Sequence, residues 1–188
     1  MKKVTFLLAF VLATASVFAQ TWTSDKAHSK LGFTVTHMGI SDVDGAFKDF
    51  EAKITASKED FSDAVIELSA KTASIDTDFE MRDNHLKQAD MFDAEKHPTL
   101  TFKSTSVQKV ADKKFKVTGD LPLKGVTKTV TLDLPLGGVA TNPRSQKKVA
   151  GFKATGTIKR TDFGVGNMPA MMVSEEVELR ASGEFNEG

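Results

Sequence analysis

The chain has no cysteine among its 188 residues. This absence excludes a disulfide framework, a thiolate metal site and a cysteine nucleophile. The sequence also lacks an excess of one charge, because 25 basic residues balance 25 acidic ones without long runs of either sign, and this argues against a nucleic-acid partner. Beyond the N-terminus, no apolar run approaches the roughly 18 residues of a spanning helix, so no integral membrane segment is expected. Stability must come from a hydrophobic core.

Catalytic motifs are missing as well. The sequence contains no GxSxG element, no P-loop and no dinucleotide-binding glycine pattern. No pair among His28, His37, His85 and His97 has the i,i+4 spacing of a zinc peptidase helix. We therefore expect no catalysis, no metal and no cofactor. The alternative is a metal-dependent enzyme, which would require the fold to bring distant histidines and carboxylates together.

The N-terminus has the pattern of a secretory signal peptide. Two lysines precede an apolar run over residues 4–17, and small residues lead to a cleavage position after Ala19. The run is too short and wrongly flanked for a spanning helix. The sequence predicts a signal peptide at 1–19, a single domain at 20–188 and a mature protein in the periplasm or the medium.

Most of the remaining sequence alternates between apolar and polar residues, as half-buried β-strands do. In KLGFTVTHM, Leu31 and Phe33 share one face while the residues around them are small or polar. The same period recurs in AVIELSAK, TLTFKS, FKVTGDL, VTLDL, GFKATGTIKR and VELRASGEF. In GAFKDFEAKI, Phe47 and Phe50 are out of phase, which predicts a bend or bulge. The pattern predicts about eight antiparallel strands, with a tight turn at Lys124–Gly125.

So many one-sided strands must bring their apolar faces together, either as two packed sheets or as one closed sheet. Closure removes exposed edges, and an eight-stranded barrel has an interior that side chains fill or that one slender ligand occupies. The late strands place small residues on the inward face, at Ala154, Gly156, Ala181 and Gly183. We expect an all-β, antiparallel, eight-stranded barrel, and the small residues favour a hollow interior over a packed one.

One short helix is predicted at residues 78–88. Thr77 and Glu80 have the spacing of a capping box, in which the threonine hydroxyl and the glutamate carboxylate each accept a backbone N–H. The predicted helix overlaps the first residues of the densely charged stretch RDNHLKQADMFDAEKHP, which spans residues 82–98.

Two interpretations of this charged stretch are open. In the first, Arg82, Asp83 and His85 form a catalytic or metal site, because Arg82 and Asp83 fall on the apolar stripe of the helix. The structural reading, which we favour, has Arg82 tying the helix to the barrel through carbonyl oxygens or a carboxylate such as Asp93, because buried charges must be paired. Ion pairs of Asp78 with Arg82 and of Asp83 with Lys87 would add to helix stability.

The loop NMPAMM, residues 167–172, concentrates three methionines in a turn region. Exposed methionine is costly, and its flexible thioether suits an irregular or changing surface. The loop therefore either plugs one end of the barrel permanently or forms a lid that faces a ligand.

Several motifs together resemble one known family. HSKLGFTVTHMGISDVDGAFKDF, ASIDTDFEMRDNHLKQADMFDAEKHPTLTFKS, GDLPLKGVTKTVTLDL and KRTDFGVG are similar, in order and spacing, to the YceI-like family of exported lipid-binding proteins. The resemblance covers residues 22–185. It implies a lipocalin-like barrel with a long apolar tunnel that holds a polyisoprenoid or another long-chain amphiphile, without catalysis. The helix then lies near the mouth of the barrel.

The chain departs from the family pattern at two positions. Met91 stands where an aromatic residue is usual before Phe92, which bears on tunnel width. Pro122 replaces a usual polar residue, and it marks a strand end or edge because proline cannot donate to a strand ladder.

These observations lead to a prediction of function. We expect an extracytoplasmic carrier or store that binds a long-chain isoprenoid or acyl lipid inside the barrel. A head group would bind at the opening to His37, Arg82 or His85. A homodimer is compatible with the sequence. The second alternative is a protein-interaction module with a fully packed barrel. The predicted lining residues are Leu31, Phe33, Val35, Phe47, Phe50, Ile66, Leu68, Phe92, Leu100, Phe102, Phe152, Ile158 and Phe163.

Overall fold

The computed structural model describes residues 19–188, so the signal peptide predicted at 1–19 lies, except for its last residue, outside the described residues. One α-helix, α1, spans Glu80–Leu86, and two 3₁₀ turns span Thr72–Ser74 and Arg160–Phe163. The strands are β1 (Gln20–Ser24), β2 (Lys30–His37), β3 (Ser41–Phe47), β4 (Phe50–Ala56), β5 (Val65–Lys71), β6 (Ile75–Asp76), β7 (Thr99–Ala111), β8 (Lys114–Leu123), β9 (Val126–Thr141), β10 (Lys148–Lys159) and β11 (Glu176–Glu187).

These strands close into an antiparallel barrel. Around it, β4 is followed by β5, β7, β8, β9, β10 and β11, and β1 closes the ring by pairing with both β4 and β11. Farther along, β2 pairs with the same edge of β11, β3 pairs with β2, and β6 pairs with β3. Thus β1 and β2 are two halves of one long strand that is interrupted once, and so are β3 and β4, and β5 and β6. Counted in this way, the barrel has eight strands. The predicted eight-stranded antiparallel barrel is confirmed.

The predicted bend and turn are both present. β3 ends at Phe47 and β4 begins at Phe50, so the change of phase marks the break between two strand segments. Lys124 and Gly125 join β8 to β9 with φ angles of 49° and 78°, the positive values that a two-residue hairpin turn of the I′ type requires. Pro122 lies next to the last residue of β8, at a strand end as expected.

Aromatic side chains close the end of the barrel opposite the helix. Phe61, in the loop between β4 and β5, packs edge-on against Trp22 and Phe152, with ring centroids 5.2 and 5.1 Å apart. Phe152 in turn meets Phe185 at 5.8 Å. All four rings are buried. This end of the barrel is therefore solid, and edge-to-face pairs of this kind stabilise it beyond their buried area.

The helix is shorter than predicted, and its capping box does not form. α1 begins at Glu80 with Phe79 at the N-cap, and no side chain caps it. Asp78 has a φ of 59°, and this left-handed turn separates Thr77 from the start of the helix. The prediction of residues 78–88 with a Thr77 cap was wrong at this end. The Thr77 hydroxyl does not cap the helix but donates a hydrogen bond to the carboxylate of Asp83.

Within residues 19–188, neither predicted ion pair of the helix forms. Arg82 donates to Thr77 rather than to Asp78. Asp83 accepts from Thr77 rather than pairing with Lys87. Both charged side chains therefore hold the helix to the chain that precedes it.

No helix in residues 19–188 combines the length and the apolar character that a membrane crossing requires.

A candidate ligand-binding cavity

The barrel encloses a cavity of about 500 Å³ between its aromatic end and α1. Its wall is formed almost entirely by apolar side chains of the strands. The volume lies within the range of about 300–1,000 Å³ that is usual for small-molecule sites. The fully packed interior that the interaction-module alternative required is thus contradicted.

Twelve of the thirteen predicted lining residues lie in the cavity wall. They are Leu31, Phe33, Val35, Phe47, Phe50, Ile66, Leu68, Phe92, Leu100, Phe102, Phe152 and Ile158. Contact of these side chains with a ligand stays a prediction.

Phe163 is the thirteenth, and it lies outside the cavity wall. It is only 2% exposed and packs within the hydrophobic core. Strand parity did not require Phe163 in the lining, because the inward residues of β10 are even-numbered, among them Phe152 and Ile158. Phe163 is the last residue of the 3₁₀ turn that follows β10.

Alternation could also have identified most of the lining residues that the prediction omitted. Most lie on β8, β9 and β11, in segments already recognised as alternating, while two lie on β4 and three come from loops. They include Ala52, Ile54, Val117, Leu121, Leu123, Val130, Leu132, Leu134, Val177, Leu179, Phe185, Met91, Met168 and Val173.

Three of the four small residues expected on the inward face, Ala154, Ala181 and Gly183, line the cavity, and Gly156 does not. Ala154 and Ala181 face each other across β10 and β11, and both line the cavity. A Cβ at Gly156 would lie 2.5 Å from the Leu132 side chain, and one at Gly183 would collide with the neighbouring Ser29 side chain. The alanines leave space for a ligand, whereas the glycines allow close packing.

Polar side chains gather at the helix end of the cavity. Arg82, His85 and His37, the predicted head-group residues, all border it there. The Arg82 guanidinium donates from Nε to the Thr77 hydroxyl at 2.7 Å and from Nη2 to the Thr77 carbonyl at 2.6 Å. His85 Nε2 lies 3.3 Å from the Asp90 carboxylate. The cavity therefore has an apolar body and a helix end with cationic and imidazole groups. A second polar set borders it around the break between β1 and β2 and comprises Ser24, Ser29, Lys30, Arg180 and Ser182.

Arg82 holds the helix through a carbonyl oxygen, as the structural reading expected. The carboxylate named as the other candidate, Asp93, instead lies 3.5 Å from Lys96 Nζ. The Arg82 guanidinium also sits over the Phe79 ring, 5.7 Å from its centroid, a distance at which the cation and the ring attract each other.

Replacing Asp83 with alanine is expected to lower the free energy of unfolding by about 1–3 kcal/mol. The buried carboxylate accepts the Thr77 N–H at 2.9 Å and the Thr77 hydroxyl at 2.5 Å, and its loss leaves a buried N–H without a partner. Urea denaturation measures the change. The matched control, Asp90→Ala, removes an exposed carboxylate near the same helix and should leave the midpoint unchanged. An Asp83→Ala midpoint equal to that of Asp90→Ala would contradict the role given to this contact.

A buried arginine that the sequence reasoning missed anchors the methionine loop. Arg160 is 5% exposed, and its five N–H groups all donate to backbone carbonyls. The acceptors are Ser174 at 3.0 Å, Val165 and Gly166 at 3.2 Å, Met168 at 2.7 Å and Val173 at 3.0 Å.

The methionine loop combines features of both predicted alternatives. Met168 is half-buried and lines the cavity, whereas Met171 and Met172 are exposed. The loop thus covers part of the helix end while presenting two apolar side chains to solvent.

Within the part of the chain that the structure describes, no group of three or more His, Asp or Glu side chains is placed to hold a metal ion.

Known proteins share both sequence and fold with this chain. A family profile described as the YceI-like domain matches residues 22–185. A UPF0312 protein of Staphylococcus aureus (strain N315) is 36% identical over 170 residues, which cover 88% of this chain and 96% of that protein. The crystal structure of Burkholderia cenocepacia BcnA has a TM-score of 0.77 and 25% identity, covering 86% of this chain and 98% of that one. A polyisoprenoid binding domain from Saccharophagus degradans has a TM-score of 0.64, covers 89% and 98%, and at 13% identity shares the fold alone.

Proposed function

Because this chain belongs to the family of YceI-like domains, we propose that residues 20–188 form a single lipid-binding domain. It holds the tail of a long-chain amphiphile, a polyisoprenoid or an acyl chain, inside the barrel. The observation that carries the proposal is the cavity of about 500 Å³ with its apolar wall. Binding in such a cavity requires no covalent chemistry.

Burial of the hydrocarbon tail supplies the affinity. Each buried methylene contributes about 0.8 kcal/mol, so a tail of about ten carbons contributes up to roughly 8 kcal/mol before the ordering costs of binding are subtracted. The predicted lining residues in the cavity wall are the groups that exclude water from the tail. Aromatic rings such as Phe33, Phe47 and Phe102 suit both isoprenoid methyl groups and straight chains.

The polar head binds at the helix end. Arg82 uses Nε and Nη2 for Thr77, and the guanidinium has five donors in total, so donors remain for a phosphate or carboxylate. His37 and His85 border the same end of the cavity and supply further ring nitrogens. This arrangement favours an anionic or hydroxyl-bearing head over a purely apolar one.

The fold is compatible with an isoprenoid ligand. The Saccharophagus degradans protein is described as a polyisoprenoid binding domain, although its likeness to this chain is one of fold. The ligand class proposed for this chain therefore rests on the shape and chemistry of its own cavity.

Native mass spectrometry of protein isolated from the cells that produce it tests the proposal. We expect a mass increment of a single lipid, which disappears after organic extraction and returns when a prenyl alcohol or a fatty acid is added. Delipidated protein that takes up neither chain would count against lipid binding.

Export is part of the same proposal. An extracytoplasmic carrier or store requires removal of the predicted signal peptide, so the intact mass of the isolated protein should correspond to a chain that begins at Gln20. A mass that includes Met1, or recovery of the protein from the cytoplasmic fraction alone, would contradict export.

A further inference from the structure

The large apolar side chains that stand exposed in residues 19–188 are distributed unevenly over the barrel. Three of them, Val65, Val110 and Val139, lie near the aromatic end, in keeping with the antiparallel strand order. A fourth valine, Val126, follows the turn between β8 and β9. The other six come from three segments at the helix end, and we call this set the apolar rim. Its members are Met38, Ile40, Phe79, Met81, Met171 and Met172.

Two of the three segments form one continuous surface. The Met38 N–H donates to the Met172 carbonyl at 3.0 Å, and the residues beside them, His37 and Val173, pair as an isolated β-bridge. This contact places the tip of the β2–β3 hairpin directly against the methionine loop. Since His37 and Val173 line the cavity, the exposed side chains follow immediately after the cavity wall.

The helix supplies the other side of the rim. Phe79 packs under the Arg82 guanidinium, and Met81 precedes Arg82 in α1. Arg82 and His85 border the cavity from this side. Exposed apolar side chains are thus found beside the cavity wall on the hairpin, the loop and the helix.

We propose that the apolar rim docks onto the surface of a lipid bilayer, so that a tail passes between the bilayer and the cavity without crossing water. The inference rests on the proposed lipid binding and adds the membrane as the partner. Exposed apolar patches mark interaction sites, and a bilayer is the occupant because the patch is continuous with an apolar cavity. Four of the six rim residues are methionines, whose flexible side chains suit a fluid surface.

The charges beside the rim indicate how it binds. Its chain neighbours include Asp42, Asp78 and Glu80, against the single cation Arg82. Attraction to anionic lipids requires a cluster of basic residues, so insertion of apolar side chains is the main contribution here. Binding should therefore persist on uncharged phosphatidylcholine and change little with salt.

Flotation with phosphatidylcholine vesicles tests the inference. The rim variant combines Ile40→Gln, Met81→Gln and Met171→Gln, at the three most exposed rim positions, which are 83%, 74% and 78% exposed. We expect wild-type protein to float with the vesicles and the rim variant to lose at least about tenfold in partitioning, because apolar area drives insertion. The matched control combines Val65→Thr, Val110→Thr and Val139→Thr near the opposite end, and it should float like the wild type.

Uptake of a neutral fluorescent probe, N-phenylnaphthylamine, separates this inference from the proposed function. Wild-type protein that takes up the probe but does not float would overturn membrane docking alone, whereas failure to take up the probe would overturn lipid binding itself. Equal loss of flotation in the rim variant and the control would also contradict docking through the rim. If the rim substitutions instead convert a dimer to a monomer by light scattering without changing flotation, the rim covers a second copy of the chain and the inference is wrong.

Discussion

Replacing Ala154 and Ala181 together with phenylalanine is expected to reduce uptake of an apolar probe or a prenyl chain by about a hundredfold or more. The two alanines face each other across β10 and β11 and line the cavity, so two aromatic rings would occupy the space proposed for the tail. Displacing about four methylenes from burial removes roughly 3 kcal/mol, which corresponds to that fold-change. Titration with N-phenylnaphthylamine, followed by fluorescence, measures the loss.

The matched control places the same rings on the other face of the same strand. Lys153→Phe combined with Thr155→Phe flanks Ala154, and both of these positions are exposed. The control should bind the probe like the wild type. Because filling a void can also strain a core, the unfolding midpoint of each variant must be measured in urea. A filled variant with a native midpoint and undiminished uptake would show that the cavity does not hold the ligand.

The barrel could be predicted from the sequence because strand alternation is a local signal with a global consequence. Leu31 and Phe33 share a face by parity alone, and so many one-sided strands leave few ways to bury that face. The same reasoning gave strand residues such as Leu68, Phe102 and Phe152, which lie in the cavity wall. Phe92 and Phe163 lie outside the strands, where parity gives no side: Phe92 lines the cavity, whereas Phe163 ends a 3₁₀ turn and packs in the core.

The start of the helix shows where local motifs mislead. The spacing of Thr77 and Glu80 fits a capping box, but the backbone turns at Asp78 with a positive φ, and the Thr77 hydroxyl binds Asp83. A threonine can satisfy a helix terminus or a buried carboxylate, and the choice depends on where the barrel holds the preceding strand. That information is tertiary, so pattern reasoning could not supply it.

The size of the cavity was only partly accessible from sequence. Small residues were recognised on the inward face, but a missing side chain can leave space or admit a neighbour. Gly156 admits Leu132 and Gly183 admits Ser29, whereas Ala154 faces the cavity. Which outcome applies depends on the residues across the sheet, and these are known only once strand order and register are known.

Replacing Arg160 with alanine is expected to lower the free energy of unfolding by about 3 kcal/mol or more, because a buried carbonyl that loses its donor costs about 1–3 kcal/mol and several lose theirs at once. From the sequence alone, a single arginine directly after a strand is expected to be exposed to solvent. In the structure its guanidinium is buried and donates to carbonyls on both sides of the methionine loop, from Val165 to Ser174. Without it, five carbonyls lose their donor, and the loop loses the contacts that hold it over the cavity. Urea denaturation measures the stability, and limited proteolysis within residues 167–172 measures the release of the loop.

Two further variants separate geometry from charge. Arg160→Lys keeps the charge but offers three donors from a single nitrogen, which cannot reach five carbonyls arranged around a planar group, so it should recover less than half of the lost stability. Arg180→Ala removes an exposed arginine that pairs with exposed Glu178 and should leave the midpoint unchanged, because surface ion pairs contribute little. If Arg160→Lys matched the wild type, charge alone would stabilise the loop. If Arg160→Ala resembled Arg180→Ala, the network around Arg160 would be unnecessary, and the position of Met168 in the cavity wall would need another cause.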